Sequence, residues 1–299
     1  MKKTHLIFFT FILSIFLVGL QFGSCRFNVE IDDNFSYVIG NATLNATLGS
    51  NTFQVSGINI ENTNIEETGV FYVTVKDILP SAVVFTYRSG EHEVYSNVQN
   101  NTIDSIVKSS NLYVFSLFER FANSWSNWES FYQLGYDLLF SPTFVPFIDI
   151  GQSTWDFIEG YAVSFNNHFS TITSTEAGDY YMDYKGVTRD GVFLAEWFVE
   201  MNEMRTFNEN EINVTGISQY RLAIQQSTGV ILGSRYEGSC SGEYNGEIVD
   251  FFASICIEDV QYNMPSFELS QNSSISPIFI ISSAVSIFVG TVITAKRRK

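Results

Sequence analysis

Residues 239–252 read SCSGEYNGEIVDFF, and this stretch decides the fold. Its centre, Asn245-Gly246, is a strong signal for a two-residue hairpin turn. The turn pairs Tyr244 with Glu247 and thereby sets the register of the two flanking segments. Apolar and polar residues alternate on both sides of the turn, which predicts two antiparallel strands with one buried face.

Two further turns extend this pattern toward the N-terminus. Asp190-Gly191 is typical of a tight turn, and the STG sequence at residues 227–229 is typical of a three-residue loop with Gly229 in the left-handed conformation. Residues 170–262 are therefore predicted to form an antiparallel meander with one aromatic, apolar face. The pairs that follow from the two turns are Tyr184 with Trp197, Met182 with Val199, Tyr180 with Met201, Ile224 with Leu232, Leu222 with Ser234, and Tyr220 with Tyr236.

The opposite face of the meander carries the charged side chains. Glu196 and Glu200 are predicted to point outward beside Lys185, where cross-strand ion pairs in solvent would satisfy them. The residues assigned to this polar face are Asp183, Lys185, Glu196, Glu200, Arg221, Arg235 and Glu237.

The cysteine positions follow from the same register. Cys240 lies opposite Phe251 on the apolar face, whereas Cys256 lies opposite Arg235 on the other face. We therefore predict Cys240 to be buried, Cys256 to point outward, and no disulfide to join them.

The N-terminal half repeats the theme with short strands at residues 51–60, 69–78, 82–88 and 91–98. Aromatic residues then recur at helical spacing over residues 103–140, and a second helix is predicted over residues 154–168. The fold class is α+β and β-rich: an antiparallel meander or curved sheet, covered by aromatic-rich helices, with a C-terminal transmembrane helix.

The two ends of the chain predict a membrane setting. An apolar run at residues 6–20 follows Lys2 and Lys3, which is the order of a secretory signal. Residues 275–295 carry no charge and precede four basic residues, so they predict a membrane span with a cytoplasmic tail and with the preceding residues outside the cell.

The predicted organisation has six segments. It leaves open whether the two middle segments form one domain or two. The segments are a signal peptide (1–24), N-terminal strands with the aromatic helical segment (25–141), a helix with the meander (142–264), a juxtamembrane linker (265–274), the transmembrane helix (275–295) and a basic tail (296–299).

These two ends resemble archaeal cell-surface proteins that carry an N-terminal signal peptide and a single C-terminal anchor. The resemblance covers the ends only, and it implies a cell-envelope location without implying an activity. The FGSC sequence at residues 22–25 also resembles a lipoprotein processing box, so lipidation of Cys25 stays an open alternative. The meander loosely resembles the layout of bacterial lipoprotein-carrier folds, a likeness of arrangement that identifies no function.

Charge excludes one class of partner. Without the six basic residues at the two ends, ten basic residues face 32 acidic ones, a net charge of about −22. Nucleic-acid binding requires a basic surface and is therefore excluded.

Six Asn-x-Ser/Thr sequons are candidate glycosylation sites in an exported chain: Asn34, Asn41, Asn45, Asn100, Asn213 and Asn272.

Motifs for catalysis or metal binding are not evident, and no cofactor is predicted. Three functions stay open: a surface protein with a structural or recognition role, a binder of a lipid or other apolar ligand beneath the aromatic helices, and an extracellular hydrolase that uses paired carboxylates. The predicted partners are the membrane and either a surface protein or an apolar small molecule. The residues assigned to the apolar site are Trp125, Trp128, Phe131, Tyr132, Trp197 and Tyr184.

Overall fold

Hairpin connections organise most of the chain into one antiparallel sheet. The computed structural model describes residues 27–60, 63–123, 144–171, 179–207, 210–244 and 246–269. The strands are β1 (Asn34–Leu48), β2 (Asn51–Ser56), β3 (Ile58–Ile60), β4 (Thr63–Ile65), β5 (Val70–Leu79), β6 (Ala82–Ser89), β7 (His92–Gln99), β8 (Asp179–Arg189), β9 (Val192–Phe207), β10 (Asn210–Gln225), β11 (Ile231–Tyr244) and β12 (Glu247–Asp259). The helices within these ranges are α1 (Thr102–Asn111), α2 (Tyr113–Asn123) and α3 (Gln152–Thr171).

The sheet has ten strands in the order β7-β6-β5-β1-β12-β11-β10-β9-β8, with β2 paired to β1, while β3 and β4 form a separate two-stranded sheet. The coarse prediction of a β-rich fold around a large antiparallel sheet is confirmed. Neighbours within β5–β7 and within β8–β12 are consecutive in sequence, as the predicted hairpins require.

Strand β1 joins the two halves at the centre of the sheet. It pairs with β12 over Tyr37–Leu48, while its other edge pairs with β5 at one end and β2 at the other. The predicted strands of the N-terminal half begin at residue 51 and omit β1, although Ala42, Leu44 and Ala46 alternate inward along it. This omission is the largest error in the predicted architecture.

The registers of the C-terminal meander agree with the predictions except at one point. Tyr244 pairs with Glu247 and Tyr184 pairs with Trp197, as their turns require. Gly229 has the predicted positive φ, 76°. The predicted Ile224–Leu232 pair is wrong, because the register shifts between Ala223 and Ile224 and brings Ile231 opposite Ile224.

Both halves of the sheet contribute to one hydrophobic core. A segment between α2 and α3 inserts two rings against the N-terminal strands: Phe144 lies 4.9 Å from Tyr37, and Phe147 lies 5.5 Å from Phe85, measured between ring centroids. The same segment bridges Phe147 to Val230 at the start of β11. The aromatic content therefore fills the space over the inner face of the sheet.

Helix α3 lies along the edge strand β8. Its residue Phe169 stacks on Tyr180 with 4.2 Å between centroids, and Trp155 meets Phe193 edge-on at 5.4 Å. The helix predicted at residues 154–168 is thus confirmed, extended at both ends.

The remaining predicted helical features lie largely outside the described residues. Helices α1 and α2 coincide with the first part of the predicted helical segment 103–140, beginning one residue before it, but Trp125, Trp128, Phe131 and Tyr132 lie outside the described ranges. The same holds for the signal at 1–24 and the predicted span at 275–295. None of the helices in the described ranges has the combined length and apolar character that a membrane crossing requires.

Candidate functional site

Of the residues predicted to line an apolar site, Trp197 belongs to the buried core and Tyr184 packs against it. Trp197 is fully buried on the inner face of β9, with Tyr184 at 5.6 Å on one side and Tyr220 stacked at 5.9 Å on the other, measured between centroids. Neighbouring rings therefore occupy the two faces of the indole that a ligand would use.

Helix α2 packs directly onto the same inner face because the strands beneath it carry glycines. A Cβ at Gly216 would lie 2.6 Å from the Phe115 ring, and one at Gly242 would lie 3.1 Å from Phe118. Such distances leave no space for a side chain, so the absence of Cβ is what lets the helix approach. No ligand-sized space separates α2 from the sheet at these contacts.

Buried hydroxyl groups mark the crossing of α1 and α2 over the sheet. The backbone N–H of Val114 donates to the Tyr236 hydroxyl at 3.3 Å. Burial raises the pKa of both Tyr236 and Tyr220. For Tyr220, hydrogen bonds with Ser234 and Ser110 offset part of this rise. These phenols stay protonated at neutral pH, and they serve as hydrogen-bonding groups of the core rather than as nucleophiles.

The outer face of the sheet is covered at one end by the residues that follow β12. We call residues 260–267 the strap. The backbone N–H of Met264 donates to the Glu258 carboxylate at 2.6 Å, and Met264 packs with Leu194 and Ala223 in a second buried cluster. The Met264 sulfur lies over Gly233, where an added Cβ would approach it to 2.9 Å.

A buried ion pair holds the far part of the strap. Arg221 of β10 pairs with Glu196 of β9, and each side chain is only 2% exposed. The Arg221 guanidinium also donates to the Ser266 carbonyl and lies 5.8 Å from the centre of the Phe267 ring. One arginine thereby joins two strands of the sheet to the strap.

This arrangement corrects the prediction of a solvated polar face. Glu196 and Arg221 do point outward, as assigned, but the expectation that Glu196 lies in solvent is wrong because both side chains are buried beneath residues outside the strands. Residues 265–267 of the predicted linker belong to the strap, and Ser266 and Phe267 contact Arg221. No periodic pattern in this segment signals these contacts.

Of the cysteines in the described ranges, Cys240 and Cys256 are not joined by a disulfide and lie on opposite faces of the sheet. Cys240 is buried opposite Phe251, and Cys256 lies opposite Arg235. Cys256 points outward, yet it is only 7% exposed because it belongs to the cluster that contains Met264. Burial raises the pKa of the Cys256 thiol, which does not favour the reactive thiolate.

A cleft of about 590 Å³ opens where α3 ends beside the edge of the sheet. Four of its lining residues carry amide or carboxylate groups, and the Tyr181 ring is 53% exposed beside it. The rings of Phe169, Tyr180 and Tyr181 lie beside these polar groups, so the walls of the cleft are about equally polar and apolar. The lining residues are Asn166, Phe169, Ser170, Asp179, Tyr180, Tyr181, Glu200 and Asn202.

Asn166 in this cleft also blocks the edge of the sheet. Its amide nitrogen donates to the Met182 carbonyl and its amide oxygen accepts from the Met182 N–H, both at 2.8 Å. The side chain thus replaces the backbone of a missing neighbour strand, which limits pairing with other chains along this part of β8.

The histidines do not form a metal site in the described residues. His92 and His168 are exposed and lie on different elements, and no cluster of three or more His, Cys, Asp or Glu side chains is found in the described ranges. Glu93 instead pairs with Lys76 at 3.4 Å, and the nearby Thr86 hydroxyl, together with Lys76, lowers the pKa of Glu93.

The sequons differ in their surroundings. Asn34, Asn45, Asn100 and Asn213 are exposed, whereas Asn41 is half-buried. Asn272 lies outside the described residues.

Comparison with known proteins gives no match to a family model and none to a curated protein.

Proposed function

We propose that the chain is a membrane-anchored cell-surface protein whose folded part has a structural or recognition role outside the cell. The strap is the observation that carries this proposal. It ends shortly before the span predicted from the sequence, and it is held on the sheet by Arg221 and Glu196. A load applied at the C-terminal end would reach β10 and β9 through this ion pair instead of acting on β12 alone.

The surface is consistent with display in external water. The exposed asparagines of four sequons are compatible with glycans, which are bulky and require surface positions. The acidic composition favours a solvated surface and opposes nucleic-acid binding. The archaeal-type arrangement of signal and anchor supports a location in the cell membrane, with the basic tail in the cytoplasm.

The finer features of the predicted fold are part of this proposal. They are the aromatic helical cover over the sheet at residues 103–140 and the transmembrane helix at residues 275–295. The role proposed is structural or one of recognition because the aromatic residues of the inner face pack on one another: Trp197 stacks on Tyr220 and meets Tyr184 at a tilt of 40°.

Protease treatment of intact cells tests the proposal. One epitope tag is inserted in the exposed Gly90-Glu91 turn between β6 and β7, and a second follows Lys299. We expect external protease to remove the first tag and spare the second, and we expect alkaline carbonate to leave the chain in the membrane. Protection of both tags in intact cells, or release of the chain by carbonate, would refute the proposed topology.

A matched variant isolates the anchor. Replacing Ile280 and Val285 within the predicted span by arginine places charge in a segment that otherwise carries none. Such charges oppose membrane insertion. The variant is expected to appear in the medium with its turn tag intact, whereas retention of the variant in the membrane would contradict anchoring by this segment.

A further inference from the structure

Strand β1 contains the same sequon twice in succession. Residues 41–48 read NATLNATL, so Asn41 and Asn45 have identical local sequences. They are four residues apart on one strand and therefore point to the same side of the sheet, the outer one. Local sequence cannot distinguish these two candidate sites, but their cross-strand neighbours on β12 can.

The Asn41 side chain is part of the packed structure between β1 and β12. Its amide nitrogen, the atom that would carry a sugar, donates to the Ser254 hydroxyl at 2.6 Å. It lies opposite Cys256, which is buried in the cluster that contains Met264 of the strap. A glycan on Asn41 would replace one of the two N–H groups of this amide beside Ser254 and would compete with the strap for space.

The Asn45 side chain, in contrast, is accessible to solvent. It is exposed, and its side chain has no hydrogen-bond partner among the described residues. Its cross-strand partner on β12 is Phe252, whose ring is 38% exposed. The Cβ atoms of such directly opposed residues lie about 4.5–5.5 Å apart.

The Phe252 ring stands among shorter polar neighbours. Ser239 of β11 faces it on one side and Asn45 on the other, with Gln54 of β2 beyond. No other aromatic ring contacts Phe252 in the part of the chain that the structure describes. One face of a large apolar side chain is therefore available within reach of any group attached to Asn45.

We propose that Asn45 is an N-glycosylation site and that its first sugar packs on the Phe252 ring. The apolar C–H face of a pyranose suits an aromatic face, and the contact removes part of the exposed ring from water. The inference rests on the proposed export of the chain. It also assigns unequal roles to two identical sequons, since Asn41 remains unmodified in the folded protein.

The attachment requires a lipid-phosphate-linked saccharide as donor. The amide nitrogen of Asn45 forms a bond to C1 of the first sugar, and the bond between C1 and the phosphate oxygen of the lipid breaks. The lipid phosphate leaves with the bonding electron pair, and the amide nitrogen loses one proton. Pairing of β1 with β12 then brings the attached sugar over Phe252.

Glycopeptide mass spectrometry of the full-length chain, purified from the membranes of a host that N-glycosylates exported proteins, tests the site. We expect a glycan at Asn45 and none at Asn41, and loss of the Asn45 glycan in N45Q. A chain that carries a glycan at Asn41 or at the exposed Asn100 but none at Asn45 would overturn the inference while leaving export supported. An unmodified chain whose turn tag is protected from protease would overturn both proposals.

Thermal unfolding tests the contact with Phe252. Enzymatic removal of the glycan is expected to lower Tm by about 2–4 °C, the shift that corresponds to one aromatic contact in a domain of this size. In Phe252→Ala this difference should vanish, whereas Ile248→Ala, which removes another exposed apolar side chain of β12, should retain it. An equal Tm difference in all three proteins would show that the sugar does not rest on Phe252.

Discussion

Replacing Arg221 by methionine should destabilise the protein far more than the loss of a charged side chain from an exposed ion pair. Met keeps most of the apolar length of Arg but removes the guanidinium that pairs with the Glu196 carboxylate at 2% exposure. Breaking a buried pair in this way costs about 3–5 kcal/mol. Total stabilities are commonly about 5–15 kcal/mol, so the variant would lose a large share of its free energy of unfolding.

Two comparisons separate this cost from general damage. In the double variant with Glu196→Leu no charge is left buried, and replacing a whole buried pair by apolar residues is often close to neutral, so most of the loss should be regained. Lys108→Met breaks the exposed pair with Asp104, whose side chains are about half exposed, and should change the stability by less than about 0.5 kcal/mol.

Urea unfolding followed by tryptophan fluorescence measures these free energies. A loss of about 3–5 kcal/mol corresponds to a decrease in Tm of roughly 10 °C for a folded part of this size. Arg221→Met should also speed proteolytic cleavage within the strap, because Ser266 and Phe267 lose their contacts with the guanidinium. A variant within about 1 kcal/mol of the wild type, or a double variant no more stable than the single one, would refute the role assigned to the pair.

Three further results are expected. Gly238→Ala should cost about 1–3 kcal/mol in urea unfolding, because its Cβ would lie 2.3 Å from the Tyr236 hydroxyl, whereas Gly160→Ala in α3 has open space and should be neutral or stabilising. Burial raises the pKa of Tyr161 to about 12, so the folded state holds this proton more tightly than the unfolded state does. The free energy of unfolding should therefore be unchanged below pH 10 and decline as the pH rises from 10 toward 12. Absorbance at 295 nm and circular dichroism should change together over this range. Because all tyrosines contribute at 295 nm, the signal of Tyr161 is read as the difference between the wild type and Tyr161→Phe, and a difference signal near pH 10 without unfolding would contradict this assignment. Asn166→Ala should uncover the backbone edge of β8 and increase self-association in analytical ultracentrifugation, and an unchanged monomer at every concentration would show that the amide does not protect the edge.

Local turn chemistry makes much of the sheet predictable. Asp190 and Gly191 both have positive φ, 51° and 78°, as a tight hairpin turn requires, and the register of β8 on β9 follows from them. The shift near Ile224 is not predictable in this way, because an extra residue in a strand leaves no reliable sequence signal.

Features created by distant contacts leave weaker signals in the sequence. Strand β1 contains several Asn and Ala residues, which are depleted in strands, and its central position depends on β12 at the other end of the folded part. The strap has no period that would indicate burial of Phe267. The strand pattern places Trp197 in a ligand site because it shows which face is apolar but not whether other rings already fill it.

The pairing of β1 with β12 has a consequence for the order of folding. Asn41 and Ser254 are joined across 213 residues of sequence, so the first strand of the large sheet cannot complete its ladder until the last one is available. Contacts of such long range slow folding because the entropy of closing the loop is lost before the contacts form. If the chain crosses a membrane from its N-terminus, β1 must wait with an open edge while the later hairpins form locally, and closure by β12 is the last step. The interval before that closure is when the chain is most exposed to misassembly, and a folding factor that protects β1 would act then.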